Sequence, residues 1–252
     1  MPRRFLQSLP IFLLMLALMS LTGFVAHRLA EQLGLAELQA TGLHRLDLYS
    51  ASLEREIGKY AFLPGTLGLE RDVLDLLRQP DGARLAPQVN AYLEQLNERA
   101  GTLSIYVIDA KGRVMATSNW RRADSFMGED LAFRQYFRDA MATGSGRFFG
   151  IGTTRGEPGY YLASTLVDDS RTLGVAVIKV SLEQLEKTWS TVEAPAMVSD
   201  ENGVVILGSV ADWKFTTLRP LDDATRSAFD QTLQYNRRAL KPQTAPRAFK
   251  VS

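Results

Sequence analysis

Few side chains in this sequence could act on another molecule, and most of them fall between Ser118 and Lys179. The most informative is Lys179, in the run Gly174-Val175-Ala176-Val177-Ile178-Lys179-Val180. Read as a strand, the run puts Lys179 on the face of Val175 and Val177, while Ala176, Ile178 and Val180 make the other face apolar too. An ammonium in such a strand requires a partner. A bound carboxylate, an Asp or Glu of the same domain, or solvent reached by the side-chain tip would each serve. Arg134 lies beside the apolar face of an expected helix, with Asp130 four residues earlier as an ordinary helical ion-pair partner. Thr153 and Thr154 end an expected strand beside a glycine-rich stretch whose amides can approach an anion closely, or they are simple β-formers before a turn. Tyr136, Tyr160 and Tyr161 could wall a pocket or belong to a core. Adjacent in a strand, Tyr160 and Tyr161 point to opposite faces, so at most one of them meets a common ligand. Ser118 offers a hydroxyl at a strand end, or only turn chemistry. Together these residue types are suited to holding an anion between fixed cations and hydroxyl donors.

They are poorly suited to catalysis. The chain has no cysteine, which removes disulfides, thiolate metal sites and thiol nucleophiles. Its two histidines, His27 and His44, lie near the apolar start, so histidine acid/base chemistry and zinc binding have no raw material in the later region. Asp168-Asp169 and Asp222-Asp223 are sequence neighbours in turns or helix entrances and do not face one substrate. No glycine segment has the spacing of a phosphate-binding loop. A formal net charge of +1, with no long basic run beyond the N-terminus, gives no field for nucleic acid. No metal and no cofactor is expected.

The elements that must position these residues begin with an anchor. Arg3 and Arg4 precede an uncharged stretch from Phe5 to Ala26, long enough at about 1.5 Å per residue to cross a hydrocarbon core of about 30 Å. Phe24 before Ala26 and Arg28 before Ala30 fit a signal-peptidase site poorly, so an uncleaved span is preferred to a signal peptide. The basic N-terminal side places that end in the cytoplasm and the rest outside. Helical leucine spacing runs from His27 to Leu63 through Leu43, Leu46, Leu48, Leu53, Ile57 and Tyr60. Further helices are expected over Leu69–Leu77 and Leu85–Arg99, around the turn Gln79-Pro80-Asp81-Gly82.

The texture then changes to strands. Ser104–Ile108 and Arg113–Ser118 flank Asp109-Ala110-Lys111-Gly112 as a hairpin, Glu129–Met141 reads as a helix, and Arg147–Thr153, Tyr160–Val167 and Leu173–Leu182 read as three further strands. A short helix follows over Leu182–Glu186. Val198-Ser199-Asp200-Glu201-Asn202-Gly203-Val204-Val205-Ile206 repeats the strand, turn and strand of Val107–Met115, or shares only its turn chemistry. The expected class is α+β, with 46% hydrophobic and 23% charged residues. The expected division is an anchor over 1–26, a long helix and helical segments over 27–102, a sheet domain over 103–190, and a partial second copy over 191–252.

Ser118-Asn119-Trp120, Phe133-Arg134-Gln135-Tyr136-Phe137, the run Gly146–Tyr161 with Gly150-Ile151-Gly152-Thr153-Thr154 at its centre, and Gly174–Val180 together resemble the sensor region of the four-carbon dicarboxylate sensor histidine kinases, the DctB type. The resemblance covers most of the chain. It implies tandem PAS-like (PDC, or dCache) domains, with the membrane-distal one binding succinate, fumarate or malate. Carried over residue by residue, it assigns Arg134, Thr153 and Lys179 to the ligand; Tyr136, Thr154, Tyr160 and Ser118 join the candidate site from their residue types and positions.

It also implies a two-component receptor in the bacterial inner membrane that regulates dicarboxylate transport. A single N-terminal span would sit in lipid, the bulk of the chain in the periplasm, and the receptor would pair as a homodimer through the long helix. The full-length family is a protein histidine kinase. No phosphoacceptor histidine segment or nucleotide-binding box occurs before Ser252, so this chain is expected to bind rather than catalyse. The competing readings are a chemotaxis or nucleotide-cyclase receptor for another small ligand and a membrane-anchored periplasmic enzyme.

Overall fold

The computed structural model describes residues 3–78, 84–192 and 195–243, with the backbone alone for 3–12. It divides into two compact units, Met1–Ser52 and Leu53–Ser252. Helix α1 (Arg3–Gly58) supplies the first unit. Its large apolar side chains between Leu13 and Val25 are all exposed, and the helix is long and apolar enough to cross a membrane. Apolar surface on every side of a helix is the pattern that suits a lipid environment. The exposed apolar residues continue beyond that stretch at Leu29, Leu33, Leu35, Leu38, Leu43, Leu46 and Leu48.

The second unit is built on a five-stranded antiparallel sheet in the order β2-β1-β5-β4-β3. The strands are β1 (Ser104–Asp109), β2 (Val114–Thr117), β3 (Ser145–Ile151), β4 (Pro158–Asp168) and β5 (Arg171–Val180). β4 and β5 are joined through Asp169 and Ser170, both at positive φ, the mirror-image turn that matches strand twist. Side chains alternate across the sheet and make two cores. On one face Ile105, Val107, Ala176, Ile178 and Val180 pack with Leu67, Val73, Leu76, Val89 and Leu93, which come from the helical segments before the sheet. Those segments include α2 (Leu63–Thr66), α3 (Arg71–Arg78) and α4 (Ala86–Ala100). On the other face Tyr106, Ile108, Tyr161, Ala163, Val175 and Val177 pack under α5 (Gln135–Thr143) through Tyr136, Phe137 and Ala140. The turn expected at 79–82 lies outside the described residues.

The helix expected from Glu129 starts only at Gln135, and the reason is tertiary. Gly112 sits at φ +98°, and a Cβ there would overlap the Cβ of Ala132, so the segment before the helix lies directly on the β1–β2 turn. Backbone bonds Val114 N–H to Glu129 O (2.9 Å) and Leu131 N–H to Gly112 O (2.7 Å) hold it extended. Asp130 therefore accepts from the Ala132 N–H at 3.0 Å instead of standing one helical turn from Arg134.

After α6 (Glu183–Ser190) comes a second hairpin, β6 (Met197–Ser199) and β7 (Val205–Gly208). A short strand β8 (Thr216–Thr217), helix α7 (Asp223–Thr232) and β9 (Lys241–Pro242) complete the order. The two hairpins close with the same bonds. Asp109 Oδ1 accepts from the N–H of Lys111 and Arg113, and Asp200 Oδ1 from the N–H of Asn202 and Val204. Gly112 and Gly203 both have positive φ, and their carbonyls accept from Leu131 and Leu218.

Candidate functional site

Lys179 is the centre from which the site can be built. The antiparallel register sets Tyr161 of β4 and Ser104 of β1 directly opposite it, on the α5 face of the sheet. Its side chain is only 3% exposed. Nζ donates to the Glu157 carbonyl oxygen at 2.7 Å, stands 3.9 Å from Glu157 Oε2, and lies 5.6 Å from the centroid of the Tyr161 ring. The room for this side chain comes from two glycines: a Cβ on Gly159 would lie 2.5 Å from Lys179 Cε, and one on Gly152 would lie 3.3 Å from Nζ. Burial pushes the Lys179 pKa down to about 8, the Glu157 carboxylate opposes the shift, and Arg155 and Arg134 add to it.

Arg134 immediately precedes α5, in extended conformation and without a side-chain cap on the helix. It is 2% exposed. Nη1 donates to Leu233 O (2.9 Å) and more distantly to Thr232 O (3.5 Å), and Nη2 donates to Ile151 O (3.0 Å). Nε is buried and has no acceptor among the described residues. Tyr136, two residues on, stacks on Tyr161 with centroids 5.0 Å apart and planes within 9°. Its hydroxyl accepts from Tyr106 at 2.8 Å, which leaves its own proton to be donated. Burial pushes the Tyr136 pKa up to about 12 and that of Tyr161 still higher, so both hydroxyls stay protonated.

Lys179, Arg134, Tyr136, Thr153 and Thr154 all line one cavity, together with Tyr106, Phe126, Glu129, Leu131, Gly152 and Tyr161. Its volume is about 20 Å³, room for roughly one water. Any larger guest needs the loops over the cavity to part. Two contacts fasten those loops: Thr154 Oγ1 donates to Glu129 Oε1 at 2.6 Å, and Arg155 Nε lies 3.0 Å from Asp124 Oδ2.

Two of the residues read from the sequence lie elsewhere. Tyr160 faces the opposite core, packed with the α2–α4 side of the sheet, because the β4–β5 register gives the Lys179 row to Tyr161. Ser118 spends its hydroxyl accepting the Ile105 N–H at 2.9 Å and does not line the cavity. Ser104, opposite Lys179 on β1, is 1% exposed and its hydroxyl has no partner among the described residues, but like Ser118 it does not line the cavity. Sequence alternation along β1 could have identified it once β1 and β5 were paired. Glu129 and Glu157 were also missed. Each stands on a loop, where a carboxylate ordinarily reads as solvated surface.

The arrangement is a polar hole in an apolar, aromatic core, with two buried cations and hydroxyl donors but no cysteine or histidine among the residues that line it. Its cations and hydroxyl donors are of the types that suit a small anion. No family model matches the chain. The chain is 38% identical over 238 residues to the C4-dicarboxylate transport sensor protein DctB of Pseudomonas aeruginosa, covering 94% of this chain and 38% of that protein. It is 32% identical over 203 residues to the Rhizobium meliloti protein of the same name, covering 80% of this chain and 32% of that protein. It thus spans about a third of the length of these relatives. The crystal structure of the V. cholerae histidine kinase DctB sensor domain superposes with a TM-score of 0.75 at 30% identity, over 81% of this chain and 80% of that one. With a long apolar N-terminal helix, the same antiparallel sheet and four-fifths of that domain matched, the chain belongs to the DctB sensor-domain family.

Proposed function

We infer that this chain is the periplasmic sensing region of a dicarboxylate receptor and that it takes a C4-dicarboxylate such as succinate, fumarate or malate into the cavity between Arg134 and Lys179. The observation that carries this reading is Lys179: a buried ammonium whose hydrogen-bond acceptor is a neutral carbonyl, with the nearest carboxylate oxygen among the described residues at 3.9 Å. A ligand carboxylate at bonding distance would supply what the protein withholds. Tyr136 would donate its free hydroxyl proton, and Thr153 and Thr154 would complete the second carboxylate once the loops part.

On this reading α1 spans the inner membrane once, residues 103–190 form the membrane-distal ligand domain, and residues 191–252 begin a second domain of the same kind. The second hairpin's turn bonds support that last assignment. Within a longer receptor kinase, two such chains would pair through the leucine-rich part of α1, and ligand binding would regulate dicarboxylate transport through a shift of that helix.

Glu129 favours a second reading of the ligand's chemistry. A carboxylate in the cavity wall suits a ligand that carries a hydroxyl or ammonium donor beside its carboxylates. Calorimetric titration of the membrane-reconstituted chain with succinate, fumarate, malate and a panel of amino acids tests both readings. Heat with the diacids alone, with succinate and fumarate bound as tightly as malate, supports the first, and a clear preference for malate or an amino acid over succinate supports the second. Absence of binding by every diacid, with the fold intact, overturns the dicarboxylate assignment.

A further inference from the structure

The short segment Thr232–Asn236 connects the cavity to the second hairpin, and it bonds to two residues that line the cavity, Arg134 and Gly152. Arg134 gives Nη1 to the carbonyls of Leu233 and Thr232, at the negative C-terminal end of α7. Immediately beyond, the segment runs along the end of β3. Ile151 N–H donates to Gln234 O at 2.7 Å, Gln234 Nε2 to Phe149 O at 3.2 Å, and Asn236 Nδ2 to the carbonyl of cavity residue Gly152 at 3.3 Å. Between these anchors lies Tyr235, whose hydroxyl is 3.5 Å from Gln234 Nε2. It is 2% exposed and donates its hydroxyl to Asp200 Oδ2 at 2.7 Å. The other oxygen of Asp200 closes the β6–β7 turn. An unbroken path of bonds therefore runs from Arg134 and Gly152 through residues 232–236 to Asp200 and the second hairpin.

We propose that this segment is a strap that reports occupancy of the cavity to the β6–β7 hairpin, a proposal that rests on the dicarboxylate reading above. Arg134 can serve only one master fully. Its Nε has no acceptor among the described residues and its Nη atoms hold neutral carbonyls, whereas a ligand carboxylate offers charge-assisted bonds, roughly twice as strong as neutral ones. Turning the guanidinium to a carboxylate draws it off Thr232 and Leu233. The end of α7 then loses its cation, and Tyr235 carries the displacement to Asp200. The ligand thus has unequal bonds with the two arrangements, which is the requirement for shifting their populations. Leu233, Asn236 and Arg237 all sit at positive φ without being glycine, so the docked strap is held in an uncommon backbone conformation by these bonds.

Hydrogen exchange on the full chain in lipid nanodiscs, with and without saturating succinate, tests the strap. In the unmodified protein succinate is expected to slow exchange over residues 150–161 and to change it over 197–208 and 229–236. Tyr235→Phe keeps the ring that packs edge-on against Phe215 and Phe229 while cutting the link to Asp200. It is expected to bind succinate within about threefold of the unmodified chain, because the change lies outside the site. It should keep the response at 150–161 and lose it at 197–208. Gln234→Ala with Asn236→Ala is expected to do the same from the other end of the strap. Protection at 150–161 with no response at 197–208 in the unmodified chain overturns the strap and leaves the ligand reading standing. An undiminished response at 197–208 in both variants also overturns it. No protection at 150–161 overturns the ligand reading, and the strap falls with it.

Discussion

The two hairpins of this molecule share a turn and part company in the chain beyond it. Both β1–β2 and β6–β7 close on an aspartate that accepts two backbone N–H groups, and both use a glycine carbonyl to hold the returning chain. The residue that then precedes the helix differs. Before α7 it is Asp222, whose Oδ1 caps the Thr225 N–H at 2.7 Å. Before α5 it is Arg134, which makes no cap and sends its side chain into the cavity. The first helix forgoes a bond typically worth about 1 kcal/mol so that a cation can occupy that place. Their lysines differ in the same sense. Lys214, in the second region, stands 2.5 Å from Glu186 Oε2, whereas Lys179 keeps its nearest carboxylate oxygen 3.9 Å away. One lysine is ion-paired within the fold, and the other rests on the neutral carbonyl of Glu157.

The largest effect that would break this contrast comes from the lysines themselves. Lys179→Met is expected to lower succinate affinity about 30-fold or more, the usual loss when one partner of a desolvated charge pair is truncated. Lys214→Met is expected to leave affinity unchanged and to lower the melting temperature; calorimetric titration and thermal melts read the two. Equal loss of binding in both would erase the distinction.

Acidity gives the next effect. The Lys179 pKa is depressed from 10.5 to about 8, so the charged form that binds an anion predominates below that pH and is lost above it. Succinate affinity should be flat from about pH 6 to 7.5 and fall by up to about tenfold per pH unit above 8. Lys179→Arg, charged throughout, should flatten whatever affinity it retains. A fall of the same slope in the arginine variant would point to another group.

Glu129→Gln is expected to act more gently. Removing a carboxylate from the cavity wall should raise succinate affinity about threefold, as for a partly solvated charge, and narrow any preference for malate. Smallest are the paired turn variants Asp109→Ala and Asp200→Ala. Each should cost about 1 kcal/mol of stability in denaturant melts while leaving succinate affinity near its original value. A large affinity loss from either would mean that the turns are part of the site and not only of the scaffold.

Local rules made much of this legible in advance. Strand alternation put Lys179 with Val175 and Val177, as the two cores confirm, and the strand and hairpin order was readable from turn residues. What failed needed register or long-range contact. Alternation said that Tyr160 and Tyr161 part, and only pairing with β5 chose Tyr161. The late start of α5 depends on Ala132 lying against Gly112, twenty residues away in sequence. Two of the three carbonyl partners of Arg134 are 98 and 99 residues downstream, and no local pattern announces them. Sequence does not separate the hydroxyls of Ser104 and Ser118, neither of which lines the cavity, because they differ only in what surrounds them. One is used by a backbone amide and the other by nothing in the described residues.

The central claim is that a ligand carboxylate comes to rest on Lys179, and proton linkage tests it most directly. At pH 8 a lysine with a pKa of about 8 is half protonated, and an arriving carboxylate raises that pKa. Succinate titrations at pH 8 in buffers of different ionisation enthalpy should therefore show uptake of about half a proton per ligand bound, and Lys179→Arg should show none. Binding without proton uptake, or equal uptake in the arginine variant, would contradict the assignment of Lys179 to the ligand.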